Sequence, residues 1–439
     1  MSTPAPDTPD GDAELARATS LIGPLLDVHM HGRHVAQLHS PREGRAKLTY
    51  LPDAAAVTRG LSCSLPAAGG AYSGKSVTNW LAGLLPDRSD ELVRWRAKYG
   101  VRRQDAYGLL WHVGEDVAGA ASFRRPQVAS QTSALEPLSE ECIGARIAAL
   151  SGSGASWSPG IGAGKFSLAG AQAKFALALT DSGWAEPSGE RATTHIFKPA
   201  IPDLPDQDLN EHITMRLAAA AGLPVASTQL VSFSGSRTLI VARFDRYWAP
   251  DGVLRRVHQE DMVQALGQPP ALKYEEAGGP GARQIVGLLR RFVTGDNMSR
   301  DIDVFIDALA FNWLVLGTDA HARNYALMHH GTKTRLAPLY DLNTFLPYTD
   351  GTDKKLAMRI GFTNFSALGI GGRDWEELSR DCGLESDYVL ARVSRVGTTL
   401  QSVASRVLQA PEVAEWESPL PRLLGDLLAK RLSDCLARL

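Results

Sequence analysis

Asp319 and Asn324 bracket the stretch Asp-Ala-His-Ala-Arg-Asn, and a second acid, Asp341, follows inside Leu-Tyr-Asp-Leu. An Asp, four intervening residues and an Asn form the core of a phosphoryl-transfer loop. There the Asp accepts the proton of an attacking hydroxyl, and the Asn oxygen holds a magnesium ion. A carboxylate shortly downstream, here Asp341, is the second expected metal ligand. Asp and Asn are common in loops, so the spacing acquires meaning only if the preceding chain supplies a site for nucleotide phosphates.

Residues 151–164 are dense in Gly and Ser and lead into Phe-Ser-Leu-Ala-Gly-Ala-Gln-Ala-Lys at 166–174, followed by the apolar run 175–179. A glycine-containing turn joined to a strand lets backbone N–H groups approach phosphate oxygens closely. A Walker loop is rejected, because Phe166 follows Gly164-Lys165 where Ser or Thr is required, and Pro159 occupies the first glycine position. His-Ile-Phe-Lys-Pro at 195–199 reads as a short strand presenting Lys198. Alone, that lysine is equally a surface residue beside a proline. After the glycine-containing loop and before Asp319, it fits a lysine that contacts nucleotide phosphates. A helix over 210–221, capped by Asn210 and ended by Gly-Leu-Pro at 222–224, carries Glu211, which either pairs with Lys198 or complements the helix dipole. Ala242, Arg243 and Phe244 leave the second of two strands, 228–233 and 238–241. A hinge offering backbone groups to adenine belongs there; an edge strand ending in charges is the plain alternative.

The rest of the chain has to position these groups. Its 439 residues, 44% hydrophobic and 21% charged, predict an ordinary globular protein of two or three packed units. The formal net charge of -2 gives no global basic signal for nucleic acid. Cys63, Cys142, Cys382 and Cys435 lie far apart without paired metal-ligand spacing, which fits a reducing cytoplasm. There is no basic-then-apolar leader, and the apolar segment 305–316 is interrupted by Asp307 and Asn312, as in a buried helix rather than a membrane span. Residues 1–22 read as a disordered extension. Residues 23–123 read as a small N-terminal α/β subdomain. It has a hairpin turning at His31-Gly32-Arg33, a strand at 48–51, and helices around Trp80, over 91–98 and over 104–112. Residues 124–246 carry the phosphate loop, the lysine strand and the hinge. A mainly helical unit fills 247–439, starting with residues 259–266 and including a helix, capped by Asp301, that delivers Asp319. The Val and Leu stripes at 393–407 and 424–436 have helical spacing and are assigned to the core.

In this order the stretches resemble the HipA-type serine/threonine kinases, toxin components of bacterial HipBA toxin–antitoxin modules. The resemblance covers about residues 25–430. It rests on Ser-Leu-Ala-Gly-Ala-Gln-Ala-Lys (167–174), Thr-His-Ile-Phe-Lys-Pro (194–199), Ala-Arg-Phe-Asp-Arg (242–246) and His-Gln-Glu-Asp-Met (258–262). Further matches are Lys-Tyr-Glu (273–275), Gly-Thr-Asp-Ala-His-Ala-Arg-Asn (317–324) and Tyr-Asp-Leu (340–342), with Leu-Ser-Cys-Ser-Leu-Pro (61–66) and Leu-Leu-Pro-Asp (84–87) near the N-terminus. It implies an α+β, bilobal kinase-like fold with a small N-terminal α/β subdomain and a mostly helical C-terminal lobe.

The same resemblance implies Asp319 as catalytic base, and Asn324 and Asp341 on magnesium. Lys198 and the loop Ala169, Gly170, Ala171, Gln172, Ala173, Lys174 would surround the ATP phosphates. Ala242, Arg243 and Phe244 would meet adenine, and His321, Ala322, Arg323 and Tyr340 would complete the nucleotide site. Ser167 matches the serine whose autophosphorylation expels the phosphate loop; a plain loop serine is the alternative. The implied partners are a small HipB-like helix-turn-helix antitoxin, DNA chiefly through that antitoxin, and a protein substrate such as glutamyl-tRNA synthetase. Two departures stand out: Ala173 and Ala242 occupy positions where the family commonly has Glu. A non-catalytic corepressor scaffold and a small-molecule kinase remain the competing readings of this pattern.

Overall fold

His31 and Gly32 have φ of 51° and 78°, the left-handed backbone that a two-residue hairpin turn demands. They join β1 (Leu26–Met30) to β2 (Arg33–His39), as the sequence predicts. In β1 the residues Leu26, Val28 and Met30 are buried while Asp27 and His29 alternate outward, the period of a half-buried strand. β3 (Lys47–Tyr50), β4 (Ala71–Ser73) and β5 (Ala121–Arg124) complete an antiparallel sheet of order β4-β3-β2-β1-β5. Helices α1 (Lys75–Gly83), α2 (Ser89–Tyr99) and α3 (Ala106–Val113) cover it, and Trp80, Trp95 and Phe123 fill a core of its own. The computed structural model describes residues 25–126, 133–151, 167–170, 172–202, 204–349, 352–362 and 365–439. The expected extension 1–22, most of the Gly/Ser stretch (152–166) and Ala171 lie outside the described residues.

A second sheet carries the nucleotide-site candidates. It contains β6 (Leu135–Pro137), β7 (Phe175–Thr180), β8 (Gly183–Pro187), β9 (His195–Pro199), β10 (Thr228–Phe233) and β11 (Ser236–Ala242), in the order β10-β11-β9-β7-β8-β6. Phe175 and Phe197 stack at 4.7 Å between centroids, and α4 (Glu140–Ser151) lays Ile143 and Ile147 over them. This packing fixes β9, and with it Lys198. Helix α5 (Gln207–Ala220) follows β9 and is buried along nearly its whole length.

The remaining chain is mostly helical. After the hairpin β12 (Arg246–Trp248) and β13 (Leu254–Arg256) come α6 (Met262–Ala265), α7 (Ala282–Phe292), α8 (Asn297–Leu314), α9 (Gly372–Asp381), α10 (Ser386–Leu408) and α11 (Leu420–Leu436). Residues 305–314 of α8 are all buried, so the helix runs through the core. The Val and Leu stripes of α10 and α11 pack with it.

Three local expectations are corrected. Residues 258–261 form a strand, β14 (His258–Asp261), paired antiparallel with Ala326–His330, and only α6 beyond it is helical. The buried His258 and Glu260 alternate on that strand, and Asp261 ends it as the cap of α6. Asp301 lies inside α8, and Asp296 is at its N-cap position. The Asp301 carboxylate is buried and accepts from Arg335 and from the Leu336 N–H. Asn210 likewise lies inside α5, where its side chain exchanges two hydrogen bonds with the Thr344 backbone. Both polar side chains tie a helix to a distant segment, a role that cap-like composition does not distinguish from capping.

Candidate active site

Helix α8 ends at Leu314; Leu316, just beyond it, takes left-handed backbone, and the chain turns into the loop carrying Asp319. The five-residue spacing to Asn324 has a direct consequence. Asn324 Nδ2 donates to the Asp319 carbonyl at 2.8 Å, and the His321 N–H donates to the same oxygen at 2.8 Å. The Asn amide is thereby oriented with its Oδ1 free of protein donors among the described residues. The Asp319 side chain is exposed, and it accepts a hydrogen bond from the Tyr274 hydroxyl.

Asp341 sits opposite with φ of 59°, an uncommon backbone for a residue with a side chain and one that recurs at functional sites. Lys198 Nζ bridges two carboxylates, donating to Glu211 Oε1 and Asp341 Oδ1 at 2.6 Å each. Because α5 starts at Gln207, Glu211 lies past its first turn and faces the lysine strand, which resolves the sequence alternative in favour of pairing. Burial opposes the charge on Lys198, but the two carboxylates outweigh it and hold the ammonium firmly protonated. Burial pushes Asp341 up, and Lys198, then Lys174, pull it down to about 2. Asp341 Oδ2 has no protein donor among the described residues. Together with Asn324 Oδ1 it offers the hard oxygen ligands that suit magnesium.

The phosphate loop closes the same cavity, about 590 Å³, a size that fits a nucleotide. Gly170 has φ of 114°, a backbone that residues with a side chain rarely adopt, and a Cβ there would lie 2.5 Å from Lys174 Nζ and push that ammonium aside. That ammonium is buried and donates to Ala169 O at 2.7 Å, while Gln172 donates to Pro199 O and to Gln207. Burial, with Lys198 adding to it, lowers Lys174 to about 8. Ala173 also lines the cavity. Ser167 does not; it is fully buried, and its hydroxyl donates to Leu84 O at 2.7 Å.

At the far end, Ala242, Arg243 and Phe244 line the cavity, and the Phe244 ring lies 5.4 Å from that of Tyr340. The Arg243 guanidinium turns into a buried ionic cluster with Asp116 and Asp245. His321 lines the cavity, whereas Ala322 is buried behind the loop and bonds through its N–H to Lys273 O. The Arg323 guanidinium is held by Asp261, Asp87 and Gly83 O, and Tyr340 donates to Arg323 O. Arg243 and Arg323 therefore frame the site with their side chains engaged elsewhere. Sequence reasoning missed Tyr274, Lys273 and Asp87 as site residues, although Lys-Tyr-Glu and Leu-Leu-Pro-Asp had stood out as motifs.

Two other polar places compete for attention. A cavity of about 930 Å³ lined by His29, Arg124, Glu190 and Trp248 is separate from the one that Asp319, Asn324, Asp341 and Lys198 share. Cys63, Glu260 and His329 lie within ligating distance of one another, but both Glu260 oxygens already accept hydrogen bonds from protein donors.

An exposed carboxylate, an Asn and an Asp side chain and two buried lysines around one cavity, between a sheet and a helical region, are the groups a kinase-type site requires. Residues 26–124 match the HipA N-terminal domain, and residues 166–407 match the HipA-like C-terminal domain. A Sinorhizobium fredii protein carrying a kinase name, Y4mE, is 35% identical over 399 residues, 88% of this chain and 92% of that protein. The serine/threonine-protein kinase toxin HipA of Shewanella oneidensis is 30% identical over 373 residues, 82% of this chain and 83% of that protein. In the solved complex of Shewanella oneidensis HipA, HipB and operator DNA, one chain has the same fold. The TM-score is 0.79 at 24% identity, covering 94% of this chain and 97% of that one. The chain belongs to the HipA family of kinases. No described helix is long and apolar enough to cross a membrane.

Proposed function

We propose that the protein is an ATP- and magnesium-dependent serine/threonine protein kinase acting in the cytoplasm as the toxin of a type II toxin–antitoxin module. The observation that carries this reading is Lys198 shared between Glu211 and Asp341, across one cavity from an exposed Asp319. Asp319 takes the proton of the substrate hydroxyl as its oxygen bonds to the terminal phosphorus of ATP; the bond from that phosphorus to the bridging oxygen breaks and ADP leaves. The Tyr274 hydroxyl keeps the carboxylate aimed until a substrate hydroxyl takes its place. Lys198 and Lys174 neutralise phosphate charge, and the phosphate-loop backbone covers it. Asn324 and Asp341 would hold a magnesium ion, which would supply further neutralisation of phosphate charge.

The named HipA relative supports a protein substrate, for which an aminoacyl-tRNA synthetase such as glutamyl-tRNA synthetase is the candidate. The complex of the structural relative with HipB and operator DNA supports a helix-turn-helix antitoxin as partner, with DNA reached mainly through it. Self-modification at Ser167 fits its surroundings. A phosphate dianion has no place 2.7 Å from the Leu84 carbonyl, so a modified loop would have to leave the cavity and the enzyme would lose its ATP grip.

Purified protein given labelled ATP is expected to gain label at Ser167, located by mass spectrometry, and Asp319→Ala to reduce it by about 10²-fold or more. Equal labelling of the two proteins would return the chain to a scaffold role. Phosphoproteomics after induced expression tests the protein-substrate assignment.

A further inference from the structure

The phosphate loop and the catalytic loop are both fastened to the same four residues of the N-terminal domain, Leu84-Leu-Pro-Asp at 84–87, just past α1. On one side the Leu84 carbonyl accepts from the Ser167 hydroxyl at 2.7 Å, and the Asp87 N–H donates to Gly170 O at 3.1 Å. On the other side the Asp87 carboxylate accepts from Lys273 Nζ at 3.0 Å and from Arg323. Arg323 lies inside the catalytic loop and also reaches Gly83 O at 2.6 Å. Lys273 carries the effect onward, since its carbonyl accepts from the Ala322 N–H and the next residue, Tyr274, bonds to Asp319.

We propose that residues 84–87 are a two-sided latch, and that Asp87 is a positioning residue for phosphoryl transfer. The segment reaches both loops of the kinase site from outside the kinase-like part of the chain. Pro86 stiffens the short link between the Leu84 carbonyl and the Asp87 carboxylate by fixing its own φ. The pairing is sheltered: the Asp87 and Arg323 side chains are 15% and 4% exposed. Burial pushes the Asp87 carboxyl up, but Arg323 and then Lys273 outweigh it and keep it ionised. Removing that charge leaves Lys273 without its carboxylate and Arg323 with Asp261 and the Gly83 carbonyl. Both loops then loosen together, although neither contains the changed residue. Losing the Ser167 hydroxyl hydrogen, by contrast, frees only the phosphate-loop side. The N-terminal domain is on this account a working part of the ATP site.

This inference rests on the kinase reading for its activity readout, and hydrogen exchange tests it separately. In the full chain, Asp87→Asn is expected to raise amide exchange in peptides covering both 167–174 and 319–324, with the strands of the N-terminal sheet unchanged. ATP affinity measured by calorimetry should weaken about ten-fold or more, and Asp87→Glu should restore part of it. In phosphate-transfer assays KM for ATP should rise and kcat should fall as well, because the base and the phosphate loop are both displaced. Ser167→Ala should loosen 167–174 alone, and it decides the matter if Asp87→Asn does not fold. Unchanged exchange in both loops of a folded Asp87→Asn protein would overturn the latch, as would equal loosening of the two loops in Ser167→Ala. Coupled loosening in a protein whose wild type binds no ATP would uphold the latch and defeat the kinase reading instead.

Discussion

Two buried ionic clusters, one packed behind residues 242–244 and the other facing the cavity, are built on opposite plans. Behind the hinge, Arg243, Arg246 and Arg256 surround Asp116 and Asp245. All four carboxylate oxygens there have donors, including the Thr193 hydroxyl and N–H, the Gly119 N–H and Gln259. Further guanidinium hydrogens go to the Val117 and Gly119 carbonyls, while Arg246 Nε has no hydrogen-bond partner among the described residues. In the cavity, Lys198 serves two carboxylates, and one oxygen of each, Asp341 Oδ2 and Glu211 Oε2, has no protein donor among the described residues. Buried polar groups are normally satisfied, so an incomplete cluster beside a cavity indicates groups held ready for a ligand. The closed cluster fixes the fold; the open one keeps oxygens available, which on the proposed function would serve phosphates and a cation.

Asp116→Asn is the strongest test of the closed side. The amide keeps the volume but leaves three buried guanidinium groups short of a negative charge, and removal of one partner from such a pair costs about 3–5 kcal/mol. A large fall in the denaturation midpoint is expected. A loss below about 1 kcal/mol in equilibrium denaturation would mean that the cluster is no more structural than a surface pair.

What the sequence made legible follows the same division. Asp319, Asn324, Asp341 and Lys198 were readable because phosphoryl transfer constrains their types and their order, and short local spacings survive in a string. Gly32 was readable because a two-residue turn needs its backbone. The partners that complete each cluster were not. Asp116 meets Arg243 and Arg246, Asp87 meets Arg323, and β14 meets β15 (Ala326–His330) across long stretches of chain that no local periodicity reports. Asn210 and Asp301 were misread for the same reason, since their distant partners lie outside any local window.

Glu211→Gln should separate the clusters by sign. Burial raises the Glu211 carboxyl above its ordinary value despite Lys198, so the ionised group works against stability near neutral pH and its removal should cost little. The denaturation midpoint is expected to stay within about 1 kcal/mol of wild type or to rise. Phosphate transfer should nevertheless fall about ten-fold or more, because Lys198 is then drawn toward Asp341 alone. Parallel losses of stability and transfer would show that Glu211 belongs with the closed cluster.

The smallest effect is the most specific to an open cluster, and it concerns Lys174. Burial and the neighbouring Lys198 lower its ammonium to about 8. A lysine whose native pKa lies below its unfolded value costs stability while protonated, and that cost fades as pH rises from about 8 toward its ordinary range. Bound phosphates act in the opposite direction, adding negative charge beside the ammonium and restoring its proton. ATP binding above pH 8 should therefore take up close to one proton, seen in calorimetry as a binding heat that varies with the ionisation enthalpy of the buffer. Affinity should weaken about five- to ten-fold between pH 7.5 and 9. Lys174→Arg keeps a cation that stays charged throughout this range, so its ATP affinity should be flat and its binding heat independent of buffer. Identical pH profiles for the two proteins would place the lysine outside the phosphate site and leave Lys198 as its sole buried cation.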